Sequence, residues 1–127
     1  MSEDAKPQPG MIVWTDLTVT NAEEVRDFYA QVVGWEPAPV DMGEYKDFGM
    51  NAPDTGVPVS GVCHARGANA NLPSQWMIYV TVASVEESAK RCVDGGGKVI
   101  DGPRLMGKQP FCVIQDPAGA VLGLIEE

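Results

Sequence analysis

The chain has 127 residues, 44% of them hydrophobic, with a formal net charge of -9 and a single histidine. That length suits about one domain able to bury a core without metal or disulfide staples. The acidity argues against nucleic acid or an anionic membrane surface as partner, because both reward clustered Lys and Arg.

Cys63, Cys92 and Cys112 are odd in number and have no CxxC spacing, which suits reduced, buried thiols in a reducing compartment. No apolar run reaches the ~18 residues of a membrane span, and the polar, Pro-rich beginning lacks the features of an export signal. A cytoplasmic location is expected. Residues 1–10 carry too little apolar content to fold and read as a flexible tail.

From Ile12 to Val19 the alternation puts Val13, Thr15, Leu17 and Val19 on one side and Trp14, Asp16 and Thr18 on the other, a strand with two unlike faces. Asn21 with Glu24 makes a capping-box pattern. Ala22, Val25, Phe28, Tyr29, Val32 and Val33 then recur at helical spacing as one apolar stripe, which Gly34 ends. This helix is expected to pack on the Val13, Leu17, Val19 face. Short extended segments near Glu36 to Val40, Tyr45 to Met50 and Val57 to His64 follow as an antiparallel meander. Residues 66–75, rich in Gly, Asn and Ala, read as a linker between a first module at 11–65 and a second at 76–127.

The second module repeats the first at an offset of 63: Thr18 falls on Thr81, Val19 on Val82, Glu23 and Glu24 on Glu86 and Glu87, and Asn21 on Ser84. Met77, Tyr79 and Thr81 alternate with Trp76, Ile78, Val80 and Val82. Ser84 and Glu87 form a second capping box, ahead of a helix carrying Val85, Ala89, Cys92 and Val93 that Gly95 to Gly97 stops. Strands near Lys98 to Asp101, Phe111 to Gln115 and Ala120 to Ile125 complete this half. A tight turn, Asp116-Pro117-Ala118-Gly119, joins the last two.

The strand end Leu17 to Val19 before Asn21, Phe28-Tyr29 on the first helix, Gly34-Trp35 after it, and Gln115 to Ala120 before the last strand occur in this order within two βαβββ halves. In that, the chain resembles the vicinal-oxygen-chelate superfamily, which includes glyoxalase I, bleomycin-resistance proteins and extradiol dioxygenases. The resemblance covers nearly everything after the tail. It implies an α+β fold of two tandem βαβββ modules whose curved mixed sheets form a cup, helices outside, and it implies a homodimer. It does not deliver a reaction.

Enzymes of that superfamily hold a divalent metal with side chains from the first and last strands of each half. By resemblance, three of those places fall on Trp14, Met77 and Gly123, and the fourth on the strand that ends at His64. Indole offers no lone pair, glycine no side chain, and a thioether prefers soft copper(I). One histidine does not hold a catalytic metal that needs about three protein ligands. No metal and no cofactor are therefore expected.

Asp16 is a carboxylate on the cup-side face of a central strand, so it must be solvated, paired or bound to something; its repeat equivalent is Tyr79. A binding role and a structural hydrogen bond explain Asp16 about equally. Trp14, Met77 and Phe111 suit an apolar pocket for a flat ligand, and packing alone explains them as well. His64 adjoins the linker, where a surface position is the expectation, although a general-base role would place it in the cup. Alternation along the strand points Cys63 and His64 to opposite faces, which argues against a dyad. The ligand-binding set is Trp14, Asp16, His64, Met77, Tyr79 and Phe111. The expected function is binding of a small apolar or aromatic molecule with a polar group. The alternative is a metal-dependent lyase, isomerase or dioxygenase of the same superfamily.

Overall fold

The computed structural model describes residues 6–127. Among them the chain runs β1 (Ile12–Val19), α1 (Ala22–Val33), β2 (Glu36–Asp41), β3 (Lys46–Asn51), β4 (Pro58–His64), β5 (Trp76–Val82), α2 (Val85–Asp94), β6 (Lys98–Met106), β7 (Gln109–Gln115) and β8 (Val121–Glu126), with a 3-10 turn at Gly67–Asn69. The order βαβββ thus occurs twice, and the chain is α+β. It divides into two compact units, one being Thr15–Trp76 and the other Met77–Glu127 together with the residues up to Trp14. Residues 1–5 of the expected tail lie outside the described residues. In the latter unit, the Gly10 amide donates to the Thr81 carbonyl at 2.7 Å and the Thr81 amide to the Met11 carbonyl at 2.9 Å.

In the first module the strands lie in the order β2-β3-β4-β1. β1 and β4 are parallel and the other pairs antiparallel, because the helix and two strands between them reverse the chain four times. Leu17, Val19, Phe48, Met50 and Val62 bury one face of this sheet under Ala22, with Val25, Tyr29, Trp35 and Trp76 packed against them. The Trp76 indole donates to the Tyr29 hydroxyl at 3.0 Å, which satisfies its N–H inside an otherwise apolar cluster.

Two local expectations fail in α1. Phe28, Val32 and Val33 are 56%, 64% and 49% exposed, so the helix does not bury the whole stripe. Of the apolar stripe only Ala22, Val25 and Tyr29 join the core beneath the helix, and Phe28 sits about 100° round from Tyr29. Asn21 also makes no side-chain cap: its ψ of 56° departs from the extended conformation that aims a capping oxygen at the first turn. Its side-chain amide instead donates to Glu24 at 3.4 Å. Ser84, extended at ψ 114°, accepts from the Glu87 amide at 3.2 Å as the sequence predicts.

His64 corrects a third expectation. It is 9% exposed, not a surface residue. Its Nδ1 lies 3.2 Å from Asp47 Oδ1, its Nε2 3.0 Å from Glu23 Oε2, and its amide donates to the same Asp47 oxygen at 2.8 Å. The ring donates to both carboxylates only as the imidazolium. Glu23 is held below its ordinary value by a backbone hydrogen bond first and by His64 next. Tyr45 meets the imidazole edge-on at 5.4 Å, and the Arg66 guanidinium lies 4.1 Å above Tyr45. The cluster ties the start of α1 to the ends of β3 and β4.

The second module has the order β5-β8-β7-β6, again with its first and last strands parallel. Val85, Ala89, Cys112 and Leu124 form its helix-side core. A Cβ on Gly97 would lie 2.7 Å from both Cys92 Sγ and the Gln115 carbonyl, so α2 can return to the sheet only through glycine. β6 is longer than the Lys98 to Asp101 segment expected. It continues through Gly102 and Pro103 by two register shifts against β7, with Gly102 at φ 87°.

Two predictions follow from this packing. Replacing His64 by Ala keeps the backbone amide bond to Asp47 but removes the ring that joins this buried carboxylate to Glu23, and chemical denaturation should show a loss of roughly 1–3 kcal/mol. Unchanged stability would remove the clamp role. Burial, then Cys92 and Asp101, push the Cys112 thiol up to about 11. An unfolded thiol titrates near ~8.5, so this contribution is intact at lower pH and fades as pH climbs through about 11. The decline in stability across that alkaline range should be shallower in Cys112→Ala than in the wild type, and parallel curves would refute it.

Candidate functional site

Each sheet has one face under its helix and one free of it. Alternation along the strands puts the predicted residues, His64 excepted, on the helix-free faces. In the second module, Tyr79 stands opposite Gly123 on β8, Val113 on β7 opposite Gly123, and Asp101 on β6 opposite Val113. A Cβ at position 123 would sit 2.9 Å from the Tyr79 ring and 3.3 Å from Phe111. The glycine therefore lets the Tyr79 ring lie across the sheet. It stacks on Phe111 with centroids 5.7 Å apart and planes 21° from parallel. Met77, Tyr79 and Phe111 are all buried.

The Arg104 guanidinium carbon lies 4.9 Å from the Phe111 centroid. Asp101 fixes it, accepting from Nε at 3.0 Å and from Nη2 at 2.7 Å. That hydrogen bond, more than any other influence, raises the guanidinium further above its ordinary value. The sequence reading missed this pair. Arg104 lies past the Gly102-Pro103 step, where the strand was expected to have ended. The Thr81 hydroxyl, on the same face, is buried and has no hydrogen-bond partner.

In the first module the equivalent row is Asp16 opposite Gly61, Gly61 opposite Gly49, and Gly49 opposite Ala38. Tyr79 and Asp16 thus occupy the same register position, each against a glycine. Cys63 is next along β4. Burial, then the Asp16 and Asp47 carboxylates, push its thiol far above the ordinary range, so it is no nucleophile. Asp47, which also accepts a hydrogen bond from that thiol, is the second residue the sequence reading missed. His64 lies on the helix side, bonded to Glu23 of α1. Trp14 shares the alternation of Asp16 on β1.

The donor set at Trp14, Met77 and Gly123 does not fit a hard divalent cation, and at position 123 the Tyr79 ring fills the space a ligating side chain would need. Among the described residues, no group of three or more His, Cys, Asp or Glu converges where a metal could sit. A groove of about 500 Å³ between α2 and β6, lined by Ala89, Val93, Val99 and Pro103, contains none of the predicted residues.

A model of the glyoxalase-like domain matches residues 13–125. The chain is 28% identical over 130 residues to the Mycobacterium tuberculosis protein named "Putative glyoxylase CFP32", covering 98% of this chain and 48% of that protein. It is 26% identical over 118 residues to the anthracycline biosynthesis protein DnrV of Streptomyces peucetius, covering 93% of this chain and 42% of that protein. The chain thus spans about half the length of the curated relatives it matches. Among solved structures, a variant of Streptomyces coelicolor methylmalonyl-CoA epimerase in complex with 2-nitronate-propionyl-CoA has a TM-score of 0.57 at 17% identity, over 94% of this chain and 99% of that one. At that identity the likeness is one of fold. The chain belongs to the glyoxalase-like domain family, on the vicinal-oxygen-chelate fold.

Proposed function

We propose that this chain binds a small apolar or aromatic molecule bearing a polar group, on the helix-free faces of its modules and without a resident catalytic metal. The observation that carries the reading is the Tyr79 ring lying in the space above Gly123. Where a ligating side chain would project in the resembling enzymes, this chain has an aromatic ring stacked on Phe111. Trp14, partly exposed on β1, offers apolar area for such a ligand, and on the first module's own helix-free face Asp16 offers a polar group. The relative named for anthracycline biosynthesis supports a small organic ligand.

Two measurements test this. After dialysis, elemental analysis should find zinc, nickel, manganese and iron well below one equivalent; stoichiometric metal would sink the reading. In a thermal-shift screen of flat aromatic amines, acids and alcohols, at least one compound should stabilise the wild type. Trp14→Ala should keep its own melting temperature and lose that stabilisation.

Pairing with a second copy belongs to the same proposal. The exposed Phe28, Val32 and Val33 of α1 are an apolar surface that a partner would cover. Sedimentation should give the mass of a dimer for the wild type and of a monomer for Phe28→Glu combined with Val32→Glu. A monomeric wild type would remove this part.

A further inference from the structure

Two exposed apolar surfaces lie beside the helices, and they differ in shape. On α1, Phe28 and Val32 stand one turn apart on one stripe, 56% and 64% exposed, with Glu24 one turn before them. Side chains on the outside of a helix make a convex ridge. In the second module the apolar surface is concave. It is the groove of about 500 Å³ between α2 and β6, where Ala89 and Val93 of the helix meet Val99 and Pro103 of the strand. Val93 is 59% exposed. A second hollow of about 450 Å³ shares Pro103 and reaches Leu105, which is 65% exposed.

The groove exists because the strand outruns its helix. The 10 residues of α2 span about 15 Å at ~1.5 Å each, while the 9 residues of β6 span up to about 30 Å. Part of the apolar helix-side surface of β6 is thus left uncovered. A hydrophobic groove of this kind accepts the apolar face of an amphipathic helix through side chains at i and i+4, which is the spacing of Phe28 and Val32. Both of those residues are exposed within the chain, so the contact is one between copies. The curated relatives are about twice as long, which leaves length in one chain for a second domain of this size.

Charge selects the direction of docking. Lys90 and Asp94, one turn apart on α2, are among the groove's lining residues, and Lys90 makes no ion pair among the described residues. Glu24 is exposed, and its carboxylate has acceptor positions beyond the one used by Asn21. With the two helices running the same way, Glu24 comes beside Lys90 as Phe28 enters next to Val93. With α1 reversed, Glu24 lies beyond Asp94 at the negative end of the α2 dipole, where a carboxylate is repelled.

We propose that the groove between α2 and β6 receives the Glu24, Phe28, Val32 stripe of α1 from a second copy of this chain, with Glu24 on Lys90. This rests on the pairing proposed above and names the surface that α1 meets. Each contact joins the first module of one copy to the second module of another, so a pair about a two-fold axis makes it twice.

The test is sedimentation of the full chain with melting temperatures measured alongside. Val93→Glu, at an exposed position, should keep its melting temperature and have the mass of a monomer where the wild type has that of a dimer. A dimeric Val93→Glu would overturn the groove and leave the pairing through α1 standing, as when two α1 faces meet each other. Lys90→Glu should raise the dissociation constant of the dimer about tenfold, and adding Glu24→Lys to the same chain should recover most of that loss. An unchanged Lys90→Glu, or a loss that Glu24→Lys does not recover, would overturn the contact between Glu24 and Lys90. A monomeric wild type would overturn this inference together with the pairing on which it rests.

Discussion

The pairing of the first strand of each module with its fourth determines where the candidate site residues fall. The connection through one helix and two strands makes that pairing parallel, and its register places residue 16 against 61 and residue 79 against 123. Both opposing positions are glycine. A glycine at the centre of a sheet face leaves a shallow space that the side chain opposite can enter. Tyr79 is long enough to cross Gly123 and stack on Phe111. Asp16 is not, so the row beside it stays low. One register, repeated, gives a filled face in one module and an open one in the other.

The helix-side faces show no such divergence. Leu17 and Val19 pack beneath α1, and Val80 and Val82 beneath α2, in the same places along the repeat. Each module needs its apolar layer under the helix in order to fold, which holds that face to branched and aromatic residues. The helix-free faces are under no such demand, and there the two copies carry different chemistry. His64 belongs to the constrained side. Its bonds to Glu23 and Asp47 make it part of the clamp between helix and sheet, and through Asp47 it steadies a carboxylate that borders the open face.

The fold was legible because its signals are local. Alternation located β1 and β5, helical spacing located α1 and α2, and the capping serine located the start of α2. Legibility ended where a residue's partner is distant or its backbone unusual. His64 meets partners 17 and 41 residues away, and nothing in its neighbourhood marks it as buried. Phe28 and Val32 fit the apolar period of α1, but periodicity does not say how wide a helix face the sheet covers. Gly102 and Pro103 read as a strand end, yet a register shift absorbs them, and this hid Arg104. The aromatic part of the site was visible as the alternation of Met77 and Tyr79. The openness of the Gly49 row was not, because it depends on which three strands lie beside Asp16.

The same geometry limits which side chains position 123 can accept. A carboxylate introduced at position 123 would begin from a Cβ 2.9 Å from the Tyr79 ring, closer than carbon atoms approach. Admitting it means turning the ring away, which breaks the stack on Phe111. Trp14 and Met77 would still offer no hard donor. The aromatic stack above Gly123 thus holds that position to glycine, through the same register that in the other module sets Gly61 against Asp16.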